Sequence, residues 1–232
     1  MHSNWITIKQ QGDNEYSGYL SLPPSGKGPG LILLQEIWGV NEHIQAVADQ
    51  YALAGYVVLA PDIFWQFEHR VSLNYDDAGN QQAFDYYSKM DFADAALHIK
   101  DAVATLRSLP AVTAKVGVVG YCMGGQLAYR TAASSQVDAA VCYYGGGIDR
   151  CLELSEQLTL PIMFHYAKND SHISQAAVSK VKSAFKDKAK AIFYDYADTE
   201  HGFNCWGRPA MFNQKASALA LGRTLTFLSE HL

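Results

Sequence analysis

The chain has little of what would tie it to a membrane, a nucleic acid or an oxidising compartment. No apolar run approaches the length needed to span a bilayer, and Met1-His2-Ser3-Asn4-Trp5 opens without the basic and apolar regions of a secretion signal. Lys and Arg number 18 against 23 Asp and Glu, giving a net charge of -5, and they are scattered, so no electrostatic footprint for nucleic acid or anionic lipid is expected. The four cysteines, Cys122, Cys142, Cys151 and Cys205, include no C-x-x-C pair. Without a secretion signal they are expected to stay reduced, in the cytoplasm. A zinc site built from Cys122, His201 and Cys205 would match no metal-ligand spacing, so neither a metal nor another cofactor is expected. Internal repeats and low-complexity tracts are also missing. What remains is 232 residues, the right length for one α/β domain over 1–232 with a full core.

Apolar patterning supplies the elements. Trp5–Ile8 and Glu15–Leu22 alternate around the polar turn Gln11–Asn14, which predicts an antiparallel entry hairpin. Gly30–Leu34 is continuously apolar, as a strand buried on both faces would be. Asn41 is placed to cap a helix carrying Ile44, Val47, Ala48, Tyr51 and Ala52 on one stripe, with Gly55 closing it. After the strand Tyr56–Ala60, the aromatic stretch from Ile63 to about Asp77 reads as an excursion over the sheet edge, and long connections of this kind are usually functional. Ala78–Leu109 predicts two helical pieces with Leu97, Val103 and Leu106 facing the core. Strands at Ala139–Tyr144, Pro161–Tyr166 and Ala191–Tyr196 follow, with a helix between the last two bearing Ala177, Val178, Val181, Ala184 and Phe185. Pro209 is expected to open a final helix with Ala218, Leu221, Leu225 and Leu228 inward. Strands alternating with helices predict a mostly parallel central sheet with helices on both faces.

The rest of the chain is organised around Lys115–Leu127. A β-branched run leads into Gly120-Tyr121-Cys122-Met123-Gly124-Gly125, the Gly-x-Cys-x-Gly pattern of a sharp strand-to-helix turn that leaves one side chain exposed at its apex. Gly120 and Gly124 fit where a Cβ would clash, and the thiol of Cys122 stands at a helix N-terminus, which favours an anion. The competing reading is a buried structural cysteine beside a Gly-rich turn. Sites in such sheets gather beyond the carboxyl ends of strands, and that rule selects Asp170 and His201. The order nucleophile, acid, histidine is that of an α/β-hydrolase. Asp170 could also be a plain turn residue, and His165 and His172 compete with His201, although neither follows the last strand. His2, His43, His69, His98 and His231 read as surface residues. Gln35-Glu36-Ile37-Trp38 leaves another strand end, so the N–H groups of Ile37 and Met123 are candidate oxyanion donors and Glu36 a carboxylate that tunes the thiol.

Taken together, Glu36-Ile37-Trp38-Gly39-Val40-Asn41, Gly120–Gly125, Asp170 and His201-Gly202-Phe203 make the chain resemble the dienelactone hydrolases, α/β-hydrolases with a cysteine nucleophile, over nearly its whole length. The resemblance implies a Cys122–His201–Asp170 triad, with Glu36 contacting the resting thiol and moving aside when substrate binds. It also implies arginines for a substrate carboxylate at positions that here read as Asn80 and Cys205, with Arg208 close to the second.

The expected chemistry is hydrolysis of a small ester or lactone. Cys122 attacks, His201 moves the proton, Asp170 orients the imidazole, and Trp38, Tyr86, Tyr87, Phe203, Trp206 and Arg208 line the pocket. The protein would act as a monomer or small homo-oligomer. Two alternatives stand beside this one. Gly120–Gln126 also looks like the elbow of class I glutamine amidotransferases, although no histidine here has Glu two positions later. A non-catalytic small-molecule-binding protein on the same scaffold is the other.

Overall fold

A computed structural model describes residues 2–12, 14–134 and 136–232; Met1 and, within the expected turn at 11–14, Asp13 lie outside them. By its internal contacts the chain divides into two units, Met1–Gly117 and Val118–Leu232.

The first unit opens with the hairpin β1 (His2–Gln11) and β2 (Asn14–Leu22), antiparallel with a bulge between Thr7 and Lys9. β2 pairs antiparallel with β4 (Val57–Pro61), and β4 pairs parallel with β3 (Gly28–Leu34), so the strands run β1-β2-β4-β3 and then reach β5 (Val112–Tyr121). Leu31 to Leu34 are completely buried, as a continuous apolar run predicts, and each such side chain stabilises the fold by roughly 1.5–3 kcal/mol. Helix α1 (Glu42–Leu53) packs on β2 and β4; its cap is Asn41, whose side chain accepts the N–H of Ile44 at 3.2 Å. The two helical pieces are α2 (Asp77–Lys89) and α3 (Phe92–Ser108).

The second unit continues from β5 through α4 (Met123–Ala133) to β6 (Ala139–Tyr143), β7 (Ile162–Ala167) and β8 (Ala191–Tyr196), with β6-β7 and β7-β8 parallel. Helix α5 (Gln175–Ala184) precedes β8, and α6 (Gln214–His231) packs on β6 and β7. Among the described residues no helix is long and apolar enough to cross a membrane.

Three expectations are corrected. Leu97 is 63% exposed, because it lies about 240° around α3 from Val103 at 100° per residue; the buried stripe is Ala95, Ile99, Ala102, Val103 and Leu106. Pro209 does not open the last helix, which starts at Gln214 under a cap from Asn213, and its buried face is Ala216, Ala220, Thr224, Phe227 and Leu228. The buried Thr224 hid this register, since its hydroxyl reads as polar in sequence but is satisfied inside. His43 and His98 are buried rather than surface residues, and burial lowers His43 to about 4 and also lowers His98.

Candidate active site

The turn out of β5 is strained. Cys122 has φ +55° and ψ -115°, a region that costs a non-glycine residue of order 1–3 kcal/mol and persists only where the surroundings enforce it. They do so by hydrogen bonds: the Cys122 N–H donates to Tyr143 O at 3.0 Å, and the Cys122 carbonyl accepts the N–H of Gly125 at 3.0 Å. Sterics do the rest. A Cβ on Gly120 would stand 1.9 Å from Gly124 O, and one on Gly125 would stand 2.6 Å from Tyr143 O. Gly125 is crowded as well as Gly120, and Gly124 supplies the carbonyl that crowds Gly120. The thiol caps α4 without making a side-chain capping bond and is partly exposed.

Asp170 leaves β7 by a turn that its own carboxylate organises. Oδ1 accepts the backbone N–H groups of His172 at 2.8 Å and Ile173 at 2.9 Å, while Oδ2 accepts Nδ1–H of His201 at 2.9 Å. The turn role and the histidine-orienting role therefore belong to different oxygens of one carboxylate. Its side chain is 1% exposed, and that of His201 is 8% exposed. The loops carrying the two residues are joined, since the Asn169 N–H donates to Thr199 O at 2.9 Å. With Nδ1 committed, Nε2 is left for the sulfur of Cys122, and the two side chains are hydrogen-bonded. Burial alone would push the imidazole down; the charge of Cys122, the hydrogen bonds with Asp170 and Cys122, and the charge of Asp170 raise it instead, to about 10.

The family model described as the dienelactone hydrolase family matches residues 16–232. The chain belongs to the dienelactone hydrolase family. It is a hydrolase acting on an ester or lactone. A carboxymethylenebutenolidase of a Pseudomonas species is 31% identical over 229 residues, covering 98% of this chain and 95% of the relative. A second, from Cupriavidus pinatubonensis, is 28% identical over 99% of this chain and 97% of its own length. The dienelactone hydrolase of Anabaena variabilis superposes with a TM-score of 0.72 at 16% identity, covering 100% of this chain and 98% of that one. A dienelactone hydrolase-like promiscuous phosphotriesterase from metagenomic libraries gives 0.80 at 20% identity, with 99% and 98% covered. These likenesses show the α/β-hydrolase fold.

In this hydrolase the other expected site residues are distributed as follows. Glu36 and Ile37 stand just past β3, at 1% and 6% exposure. Trp38 is also buried, and its Nε1–H donates to Asn80 Oδ1 at 2.9 Å, so Asn80 is engaged with the indole. Tyr86 stacks on Phe67 and binds Glu68 through its hydroxyl at 2.6 Å, whereas Tyr87 is 39% exposed. Phe203 is fully enclosed, against Tyr143, Tyr144 and Tyr196. Cys205 is wholly buried and Trp206 is 37% exposed. The Arg208 guanidinium lies over Gly202, where a Cβ would be 3.1 Å from it.

Two neighbours of His201 were not selected from the sequence. The ring of Tyr144 meets the imidazole edge-on at 5.1 Å, and that of His172 meets it at 4.8 Å. Tyr144 follows β6 immediately, so the strand-end rule applied evenly would have found it. Desolvation lowers the pKa of His172, as do the His201 and Arg208 charges, against the pull of Asp170.

Proposed function

We propose that this hydrolase cleaves its ester or lactone through a thioester on Cys122. The thiolate attacks the carbonyl carbon, and the negative charge that develops on oxygen is taken by the Ile37 and Met123 N–H groups. The intermediate collapses as the carbon–oxygen bond breaks, with His201 giving its proton to the leaving oxygen. Water, deprotonated by His201, then attacks the thioester, releasing the acid and restoring the thiol. Asp170 keeps the imidazole in the tautomer that presents Nε2 to sulfur. Glu36 tunes the thiol from the end of β3. The observation that carries this reading is the single imidazole bonded on one side to the Asp170 carboxylate and on the other to the Cys122 side chain.

The substrate we propose is a small ester or lactone, held among Trp38, Tyr86, Tyr87, Phe203, Trp206 and Arg208. The curated relatives are named for a butenolide that bears a carboxymethylene group. Arg208 supports an acidic substrate here, while Asn80, tied to Trp38, offers a neutral amide where a second cation would otherwise serve. The enzyme is read as one functional domain over 1–232, a monomer or small homo-oligomer of the cytoplasm.

The test is turnover of p-nitrophenyl acetate by the wild type and Cys122→Ala. The variant is expected to lose turnover to the buffer rate; equal rates remove Cys122 as nucleophile and the reading with it.

A further inference from the structure

The excursion between β4 and α2 begins at Asp62, whose carboxylate is completely buried. Its Oδ1 accepts the N–H of Phe64 at 3.1 Å and its Oδ2 accepts the N–H of Val71 at 3.3 Å, with the Arg70 N–H as a further donor. An ionised carboxylate is acceptor-only on both oxygens, so one side chain ties both ends of segment 63–71 together. Burial nevertheless pushes the carboxyl up to about 7, against the pull of those three N–H groups, and Glu68 adds to the rise. The fold thus keeps a costly buried acid at this point.

The same segment and the two residues that follow it grip the turn after β3 from both sides. The Ile63 N–H donates to Gln35 Oε1 at 3.1 Å, and the Leu73 N–H donates to Trp38 O at 2.9 Å. Ser72 forms an antiparallel bridge with Gly39, and Asn41 Nδ2 donates to Leu73 O at 3.2 Å. Contact is so close that a Cβ on Gly39, at φ +78°, would lie 2.0 Å from Val71 O. Between the attachments at Gln35 and Trp38 stand only Glu36 and Ile37.

We propose that Asp62 is a positioning residue for the hydrolytic step: by closing segment 63–71 it fixes the backbone from Gln35 to Trp38 and so aims the Ile37 N–H. The inference rests on the reading of that N–H as an oxyanion donor. Such a donor acts only when correctly placed, and its effect falls on the transition state rather than on substrate binding.

Two variants test it at pH 8, Asp62→Asn and Gln35→Met, each assayed for kcat and KM on p-nitrophenyl acetate and for the rate at which iodoacetamide alkylates Cys122. Gln35 is wholly buried and its Nε2 finds no partner among the described residues, so methionine removes the acceptor for Ile63 at little packing cost. Both variants are expected to lose ~10-fold or more in kcat with KM within ~3-fold, since displaced oxyanion donors cost rate and not affinity. Alkylation should proceed at the wild-type rate. If Asp62→Asn fails to fold, Gln35→Met decides alone. A folded Gln35→Met with wild-type kcat, or with raised KM at unchanged kcat, overturns the proposal. Should Cys122→Ala be dead while the loop variants turn over normally, only the positioning role falls; should Cys122→Ala remain active, the hydrolytic reading falls first.

Discussion

Nδ1 of His201 meets Oδ2 of Asp170 at 2.9 Å, while Oδ1 of that carboxylate already accepts the N–H groups of His172 and Ile173. An amide cannot serve all three donors, because one of its two positions is itself a donor. Asp170→Asn must therefore turn its NH2 towards the imidazole or towards the turn. We expect kcat to fall roughly 10³–10⁴-fold, the scale seen when a triad histidine is held in the wrong tautomer, with a stability loss of about 1–3 kcal/mol from the orphaned donors. Steady-state kinetics and urea denaturation check this; a fall in kcat under ~10-fold would remove Asp170 from the relay.

His201 owes its raised pKa to Cys122 and Asp170 acting against burial. Cys122→Ala removes both contributions of the sulfur and leaves the burial, so the imidazole should titrate lower in the variant than in the wild type. The sign for stability follows. A group raised from 6.5 to about 10 on folding contributes stability that is fully present below 6.5 and is lost as pH rises through about 10. NMR of the ring carbons in both proteins measures the shift. Unchanged titration would mean that sulfur and imidazole do not interact.

The sequence exposed the elbow because its constraint is local. A Cβ at Gly120 would strike the carbonyl of a residue four positions on, and strain of that kind leaves glycine in a readable pattern. Asp170 and His201 were legible for a different reason, since each follows an apolar strand and strand ends are where a doubly covered sheet leaves room for chemistry. His43 and His98 were misread together, and nothing in the pattern marked Thr224 as buried. Each is a polar residue type that composition assigns to the surface, and only the three-dimensional neighbourhood supplies what buries it. Asp62 was passed over likewise, because its partners Phe64 and Val71 are backbone groups with no signature in sequence.

Gly120→Ala should be among the most damaging single changes in the chain. The added methyl carbon would lie 1.9 Å from Gly124 O and 2.9 Å from Gly125 N, all of it rigid backbone. We expect a loss of roughly 3 kcal/mol or more, with Gly146→Ala as control. At Gly146 the nearest atom is Ile173 Cγ1 at 3.8 Å, an ordinary contact, so its cost should stay within about 1 kcal/mol. Equal thermal midpoints for the two variants would contradict the crowding.

Asp62 makes an unusual contribution to the pH dependence of stability. Its carboxyl is raised by burial from 3.8 to about 7, so its contribution is largest below 3.8 and is lost as pH rises through about 7. The full span is on the order of 4 kcal/mol. Asp62→Asn lacks this slope, so its stability deficit relative to wild type should shrink between pH 5 and pH 8. Urea denaturation at both values checks it, and a constant deficit would mean that the carboxyl does not titrate in this range.

The hydroxyl of Thr224 is shared by two buried groups. Oγ1 lies 2.7 Å from the Tyr143 hydroxyl and 3.0 Å from His165 Nε2, and His165 Nδ1 continues to the Tyr196 hydroxyl at 2.8 Å. Burial, aided by the Arg223 charge, lowers His165 to about 3, so its ring stays neutral and each nitrogen has one role, donor or acceptor. Orienting any one member therefore orients the chain from Tyr143 to Tyr196. Thr224→Val keeps the shape and branching of the side chain, which confines its effect to the lost oxygen. The Tyr143 hydroxyl and His165 Nε2 then each lose one hydrogen bond, and we expect a loss of about 1–3 kcal/mol. Thr224→Ser keeps the oxygen and gives up a methyl, so it should cost about 1 kcal/mol. If the valine variant is no less stable than the serine variant, the interior of this unit is held by packing alone and the polar chain through His165 contributes nothing to it.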